Sequence, residues 1–202
     1  MTAKSMKQIV LPFDELRPDK VDDCLIITNA NSAAFSALGN SSAWPGHCAI
    51  LVGPARSGKS MLARYFESQG GLAFDDADAL DDETLFHKWN EARGKDLSLL
   101  LVSAHMPADW NISLPDLKSR LATAQIILLD QPDDELAEQL MLKLFRDRGT
   151  SIGIDALAYA LRRIERSYAG IEAFVRRANQ FSLSEGGALT LPRVKRLLET
   201  ER

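Results

Sequence analysis

The sequence predicts an α/β domain built on a small parallel sheet, followed by an all-helical unit. Three observations predict it. Up to Pro132, short apolar runs alternate with amphipathic segments, the pattern of strands joined by crossover helices. After Pro132 only the helical period persists. Charge divides near the same place: residues 1–142 hold 12 Lys and Arg against 21 Asp and Glu, whereas residues 143–202 hold 12 against 7. The 202-residue chain carries a net charge of −4, which argues against a protein that coats DNA with a basic surface.

The elements follow in order. Residues 1–23 are polar, are interrupted by Pro12 and Pro18, and read as extended. Residues 24–28 are a short apolar run, either a strand or a packed entry segment. A helix follows over 29–38, with Asn29 or Asn31 as its cap. Residues 47–52 form a buried strand that runs into Gly53. The helix over 60–69 puts Met61, Leu62, Tyr65 and Phe66 on one face, and Gly70-Gly71 ends it. Residues 72–74 are a second strand, ending on Asp75-Asp76. Asp81 caps a helix that buries Leu85, Phe86 and Trp89 and stops near Gly94. The strand over 97–103 is the clearest in the chain. Pro115 starts a short helix through Leu121, and 125–129 is the next strand. Beyond Pro132, helices are expected over 133–148, 155–166, 170–182 and 190–198. The expected organisation is thus an extended segment over 1–18, an α/β core over 19–132 and a helical lid over 133–202.

Cys24 and Cys48 stand alone, with no C-x-x-C spacing, and read as buried small residues rather than a disulfide or zinc site. The N-terminus has no apolar run fit for a signal peptide, and no stretch reaches the length of a membrane span, so a cytoplasmic protein is expected. His87 and His105 have no metal-ligating partners at a useful spacing.

One motif carries chemistry. Gly53-Pro54-Ala55-Arg56-Ser57-Gly58-Lys59-Ser60 matches G-x-x-x-x-G-K-[ST], between an apolar strand and an amphipathic helix. Glycines let backbone N–H groups curl around a phosphate, and the following helix turns its positive end toward the anion. In that chemistry Lys59 reaches the β-phosphate of ADP or the β- and γ-phosphates of ATP, and the Ser60 hydroxyl ligates Mg²⁺. A carboxylate at the end of a neighbouring strand completes such a metal site. Asp75 is the candidate, with Asp76 or Asp78 orienting a water. Residues 75–83 hold six acids in nine positions, which also suits a solvated loop and helix start. Only 15 residues separate Lys59 from Asp75, enough for one helix and a turn. The sheet is therefore expected to have about four strands.

On these residues the chain resembles the Hda type of DnaA-related AAA+ ATPases, along almost its whole length. Beyond the phosphate loop, three features carry the resemblance. Residues 113–121, Ser-Leu-Pro-Asp-Leu-Lys-Ser-Arg-Leu, are similar to the family's arginine-finger segment, with Arg120 at the finger's position. A helical lid ends in Leu191-Pro192-Arg193-Val194 before a last helix. Gln8-Ile9-Val10-Leu11-Pro12-Phe13 looks like the peptide through which such proteins bind the sliding clamp, the β subunit of DNA polymerase III. An extended segment can seat Leu11 and Phe13 in an apolar groove, with Gln8 and Ile9 beside them, and Pro12 lowers the ordering cost.

The resemblance implies a regulator of replication initiation. It would dock on the clamp through residues 8–13 and present Arg120, the most valuable exposed side chain to test, to ATP-bound DnaA, promoting hydrolysis. The finger acts on a neighbour's nucleotide, so it needs a second subunit, either DnaA or another copy of the chain. No DNA-reading helix-turn-helix segment follows the lid, so direct sequence-specific DNA recognition is not expected. Two departures weaken the chain's own site. Ala104 stands where the family places a polar sensor at a strand end, and Ala169 where the lid supplies an arginine; Arg166 is three residues earlier. Weak or no ATPase activity of its own is expected, with tight nucleotide binding left open. The basic lid reads as solvated helix faces or as a contact for an acidic partner. The alternatives are a small P-loop kinase, which would need arginines in a lid near the sheet's active edge, and a nucleotide-free scaffold.

Overall fold

The computed structural model describes residues 25–199. The clamp-peptide residues 8–13 and Cys24 lie outside the described residues. The strands are β1 (Cys48–Val52), β2 (Leu72–Phe74), β3 (Leu99–Ser103) and β4 (Gln125–Leu128). Around them lie α1 (Ser32–Gly39), α2 (Lys59–Ser68), α3 (Asp82–Gly94) and α4 (Pro115–Thr123). The helices α5 (Asp134–Asp147), α6 (Ile154–Leu161), α7 (Tyr168–Glu185) and α8 (Leu191–Glu199) follow.

The four strands are parallel and ordered β2-β3-β1-β4. The expected small parallel sheet is therefore present. Its two central strands are buried along their whole length, because helices cover both faces, and they read as unbroken apolar runs for that reason. Alternate residues serve opposite layers. Ala49, Leu51, Leu100 and Val102 pack with α1 and α2 around Phe35, Leu62 and Phe66. Cys48, Ile50, Val52, Leu99 and Leu101 pack with α3 and α4 around Leu85, Trp89, Leu117 and Leu121. Trp44 closes the first layer, stacked on Phe66 at 5.1 Å with Nε1 donating to Ala37 O. A separate cluster joins α5 to α8 through Met141, Phe145, Ala160, Phe174, Val175 and Val194.

Local differences from the sequence reading have local causes. Residues 25–28 are not a strand but an irregular segment leading into a turn over 29–31, and Asn31 fastens it, accepting from Thr28 N and donating to Ile26 O, both at 2.8 Å. That use of its side chain leaves α1 without a side-chain cap, although Asn31 is the cap residue. The helix expected over 155–166 stops at Leu161, and α7 begins at Tyr168, two residues before Gly170. Ser167 is the reason, since its Oγ accepts from Gly170 N at 2.9 Å and caps the new helix. Gly170 is required there: a Cβ would fall 2.6 Å from Glu165 O.

Candidate nucleotide site

The site lies at the carboxyl ends of β1, β3 and β2, the crevice where open parallel sheets take their ligands. Val52 delivers the chain into Gly53, whose N–H reaches Ser103 O at 3.4 Å. Gly53 must be glycine, because a Cβ would meet Leu129 Cβ at 2.8 Å and Leu129 O at 3.1 Å. The loop 53–58 then turns into α2, whose cap is Gly58 in the left-handed region with φ 87°. No side chain caps that helix. Met61 and Leu62 N–H both donate to Gly58 O at 3.0 Å, so the amides ahead of them, of Lys59 and Ser60, are the ones that can turn to an anion.

Three features test whether these residues fit a nucleotide phosphate. Ser57 Oγ is buried and has no hydrogen-bond partner among the described residues. Lys59 folds back on the loop, donating from Nζ to Gly53 O at 2.7 Å and Pro54 O at 2.8 Å. Its pKa is lowered by burial, and Asp75, Asp76 and Asp78 oppose that by favouring the charge. A cradle with an orphan hydroxyl, open helix amides and a desolvated ammonium fits a phosphate.

The acidic segment is divided. Asp75 and Asp76 are exposed beyond β2, Asp76 with a left-handed φ of 51° and its N–H on Asp75 Oδ1 at 3.1 Å. Asp78 instead turns inward. Its carboxylate lies 2.6 Å from His105 Nδ1, with 14% of the side chain accessible. Burial raises the Asp78 pKa, but hydrogen bonds from His105, its own backbone and Ser103 outweigh this and leave it below the usual value. The pairing of His105 was not legible in the sequence, because its partner is 27 residues away. Among the described residues no group of three or more His, Cys, Asp or Glu is placed to hold a metal.

The lid brings α5 and α7 against the loop. A cleft of about 250 Å³ runs from Arg56, Ser57 and Gly58 to Leu136, Leu140 and Tyr168. Its walls are largely apolar, with Leu25, Phe35, Met61 and Leu129 on the core side. Burial raises the Tyr168 pKa, as do Asp133 and Asp130. Arg56 Nε lies 3.4 Å from Glu172 Oε2, tying the loop to α7. Arg166 does not approach the loop, since its guanidinium pairs with Asp134 at 2.9 Å. Ala169 sits in the first turn of α7 and offers no polar group. Glu172 and Tyr168 were missed in the sequence because each reaches the loop only through the packing of the lid.

Arg120 is elsewhere. It lines a cavity of about 280 Å³ with Cys48 and Leu99, the first residues of β1 and β3, at the amino edge of the sheet. A five-residue strand separates that edge from the phosphate loop, roughly 16 Å. Its side chain is 24% accessible, not the exposed group the sequence suggested. Asp116 pairs with it at 2.7 Å, Asn90 Oδ1 accepts from it at 3.4 Å, and its guanidinium lies over Phe86 at 5.1 Å. Phe86 and Trp89 on α3 build that shelf.

No family model matches the sequence. The fold has close structural counterparts. Domain III of the replication initiation protein DnaA from Thermotoga maritima aligns with a TM-score of 0.71 and 17% identity, over 92% of this chain and 98% of that one. The replication initiator DnaA bound to AMPPCP and single-stranded DNA aligns with a TM-score of 0.63 and 13% identity, over 90% of this chain and 68% of that one. The Thermotoga maritima RuvB Holliday junction branch migration motor gives 0.58 and 14%, over 85% of this chain and 66% of that one. The fold is therefore that shared by DnaA domain III and RuvB. Among the described residues no helix is long and apolar enough to cross a membrane.

Proposed function

We propose that this chain is a nucleotide-binding regulator of replication initiation that acts on DnaA. One observation carries the reading. In a DnaA-like fold, the phosphate loop and Arg120 occupy opposite ends of one sheet, so Arg120 cannot serve its own loop. An arginine so placed serves a nucleotide held by a second subunit. ATP-bound DnaA is that subunit in this reading; another copy of the chain is the other choice. Asp116 is 62% accessible, so its pair with Arg120 lies at the surface on the acid's side and can be exchanged for a phosphate.

Residues 53–60 take the phosphates of ADP or ATP, with Lys59 moving from the two loop carbonyls to the phosphate oxygens. Mg²⁺ would be held by the Ser60 hydroxyl and Asp75 and would neutralise charge between the phosphates. Asp76 is the candidate to orient a water. The apolar cleft beneath Tyr168 takes the base. Turnover at this site is slow or absent, because Ala104 and Ala169 give no group to the terminal phosphate and Arg166 is paired elsewhere. The kinase reading is not favoured, since the structural counterparts are initiators and branch-migration motors.

Gln8, Ile9, Leu11, Pro12 and Phe13 deliver the chain to the sliding clamp, placing Arg120 beside DnaA at DNA. A pull-down with the polymerase III β subunit tests this. Alanines at Leu11, Pro12 and Phe13 together are expected to abolish capture; unchanged capture would remove the clamp from the reading.

A further inference from the structure

Asp82 fastens α3 to the start of α4. It is the first residue of α3, and its neighbour Asp81 caps that helix by accepting from Thr84 N at 2.7 Å. Asp82 Oδ2 accepts instead from Ser113 N at 2.7 Å and from Leu114 N at 2.8 Å, 31 and 32 residues along the chain. Hydrogen bonds to an ionised carboxylate are stronger than those between neutral groups. Leu114 is the cap residue of α4 and gives no side-chain cap, and Pro115 follows it with no N–H. The acceptor at the start of α4 thus comes from α3.

The same side of α3 meets the other end of α4. Phe86, Trp89 and Asn90 stand four, seven and eight residues beyond Asp82, one stripe of an α-helix. The rings of Phe86 and Trp89 lie 5.1 and 6.0 Å from the Arg120 guanidinium, and Asn90 Oδ1 accepts from it at 3.4 Å. Between the two ends, Leu117 and Leu121 share an apolar cluster with Leu85 and Trp89. Apolar contact is non-directional and by itself lets α4 slide along α3. The two bonds to Asp82 are directional and fix where α4 starts. A slide by one residue's rise is about 1.5 Å, and a misplacement of about 1 Å can slow a reaction about 100-fold.

We propose that Asp82 is a positioning residue for Arg120: it holds the two amides ahead of α4 and so sets where the guanidinium stands for a second subunit's nucleotide. The inference rests on the reading that Arg120 acts on ATP held by DnaA. Asp82 acts through the backbone of residues 113 and 114 and makes no contact with the nucleotide in this account.

The rate of ATP hydrolysis by DnaA with DNA-loaded clamp tests it on wild type, Asp82→Ala, Asp82→Asn, Arg120→Ala and the double variant Asp82→Ala with Arg120→Ala. Asp82→Ala is expected to lower the maximal stimulated rate about tenfold or more, with the concentration for half-maximal stimulation unchanged. Asp82→Asn keeps an oxygen that can accept from both amides and should recover most of the loss. In the Arg120→Ala background, Asp82→Ala should cost nothing further, because both act through one group. A thermal melt reports whether each variant is folded. A second readout needs no DnaA: the Arg120 Nε–H resonance, shifted by the rings of Phe86 and Trp89, should move in Asp82→Ala and stay in place in Asp82→Asn. No loss of rate in Asp82→Ala, the same fold loss in both backgrounds, or an unmoved resonance would overturn the inference. Failure of the Arg120 reading looks different: wild type gives no stimulation, or Arg120→Ala stimulates as well as wild type, and the inference falls with it.

Discussion

Arg56 combines two opposing effects in one residue. Its φ of 66° is left-handed, a conformation that costs a residue with a Cβ about 1 kcal/mol and glycine almost nothing. Against that stands one ion pair to Glu172, whose partners are 68% and 35% accessible, and exposed pairs contribute about 0–1 kcal/mol. Neither Arg56→Gly nor Arg56→Ala keeps the pair, but only Gly relieves the backbone. Urea unfolding should therefore rank Arg56→Gly above Arg56→Ala by about 1 kcal/mol, and equal stabilities would mean the loop relaxes out of this turn. The strand, loop and helix around residues 53–60 were legible because that pattern is local in sequence. The partners of its side chains were not, since Glu172 and Asp78 come to their places through tertiary packing. The pairing of His105 was hidden for the same reason, and the partial burial of Arg120 depends on a shelf built by another helix.

The lid helices depend on their first turns. Asp133 Oδ1 accepts from Leu136 N at 2.8 Å to start α5, and Ser167 Oγ accepts from Gly170 N to start α7. The α7 start sets the cleft, because Tyr168 and Glu172 follow within its first turns. Ser167→Ala should lower stability by about 1 kcal/mol. Gly170→Ala should lower it by more, because the new methyl meets backbone at 2.6 Å rather than a side chain that can move aside. Thermal melts of the two variants check the order; a Gly170→Ala variant as stable as wild type would contradict it. The positions of strands and helices followed from apolar periodicity, and central strands were clearest because both faces are buried. The start of α7 and the end of α6 were misplaced because a serine cap and a glycine contact decide them, and neither alters the apolar pattern.

Across the whole molecule, the acidic body ties stability to pH. Asp78 is lowered despite its burial, through its hydrogen bonds, and Asp81 is lowered by the Thr84 backbone N–H it accepts from. A carboxylate with a depressed folded pKa contributes stability that is present above its unfolded value, about 3.9, and is lost as pH falls through the folded value. The melting temperature should thus hold from neutral pH to about pH 5 and fall below about pH 4, less steeply for Asp78→Asn than for wild type. An identical acid profile for the two would remove Asp78 from this account.

At the same scale, the sheet holds the phosphate loop at one end and Arg120 at the other. The proposed function rests on this division, which keeps Arg120 away from the chain's own loop. The rate of ATP hydrolysis by DnaA, measured with DNA-loaded clamp and either wild type or Arg120→Ala, tests it most directly. Stimulation by wild type that falls by about 100-fold or more in the variant, with clamp binding retained, is the expected result. Equal stimulation by the two proteins, or none by wild type, would contradict it.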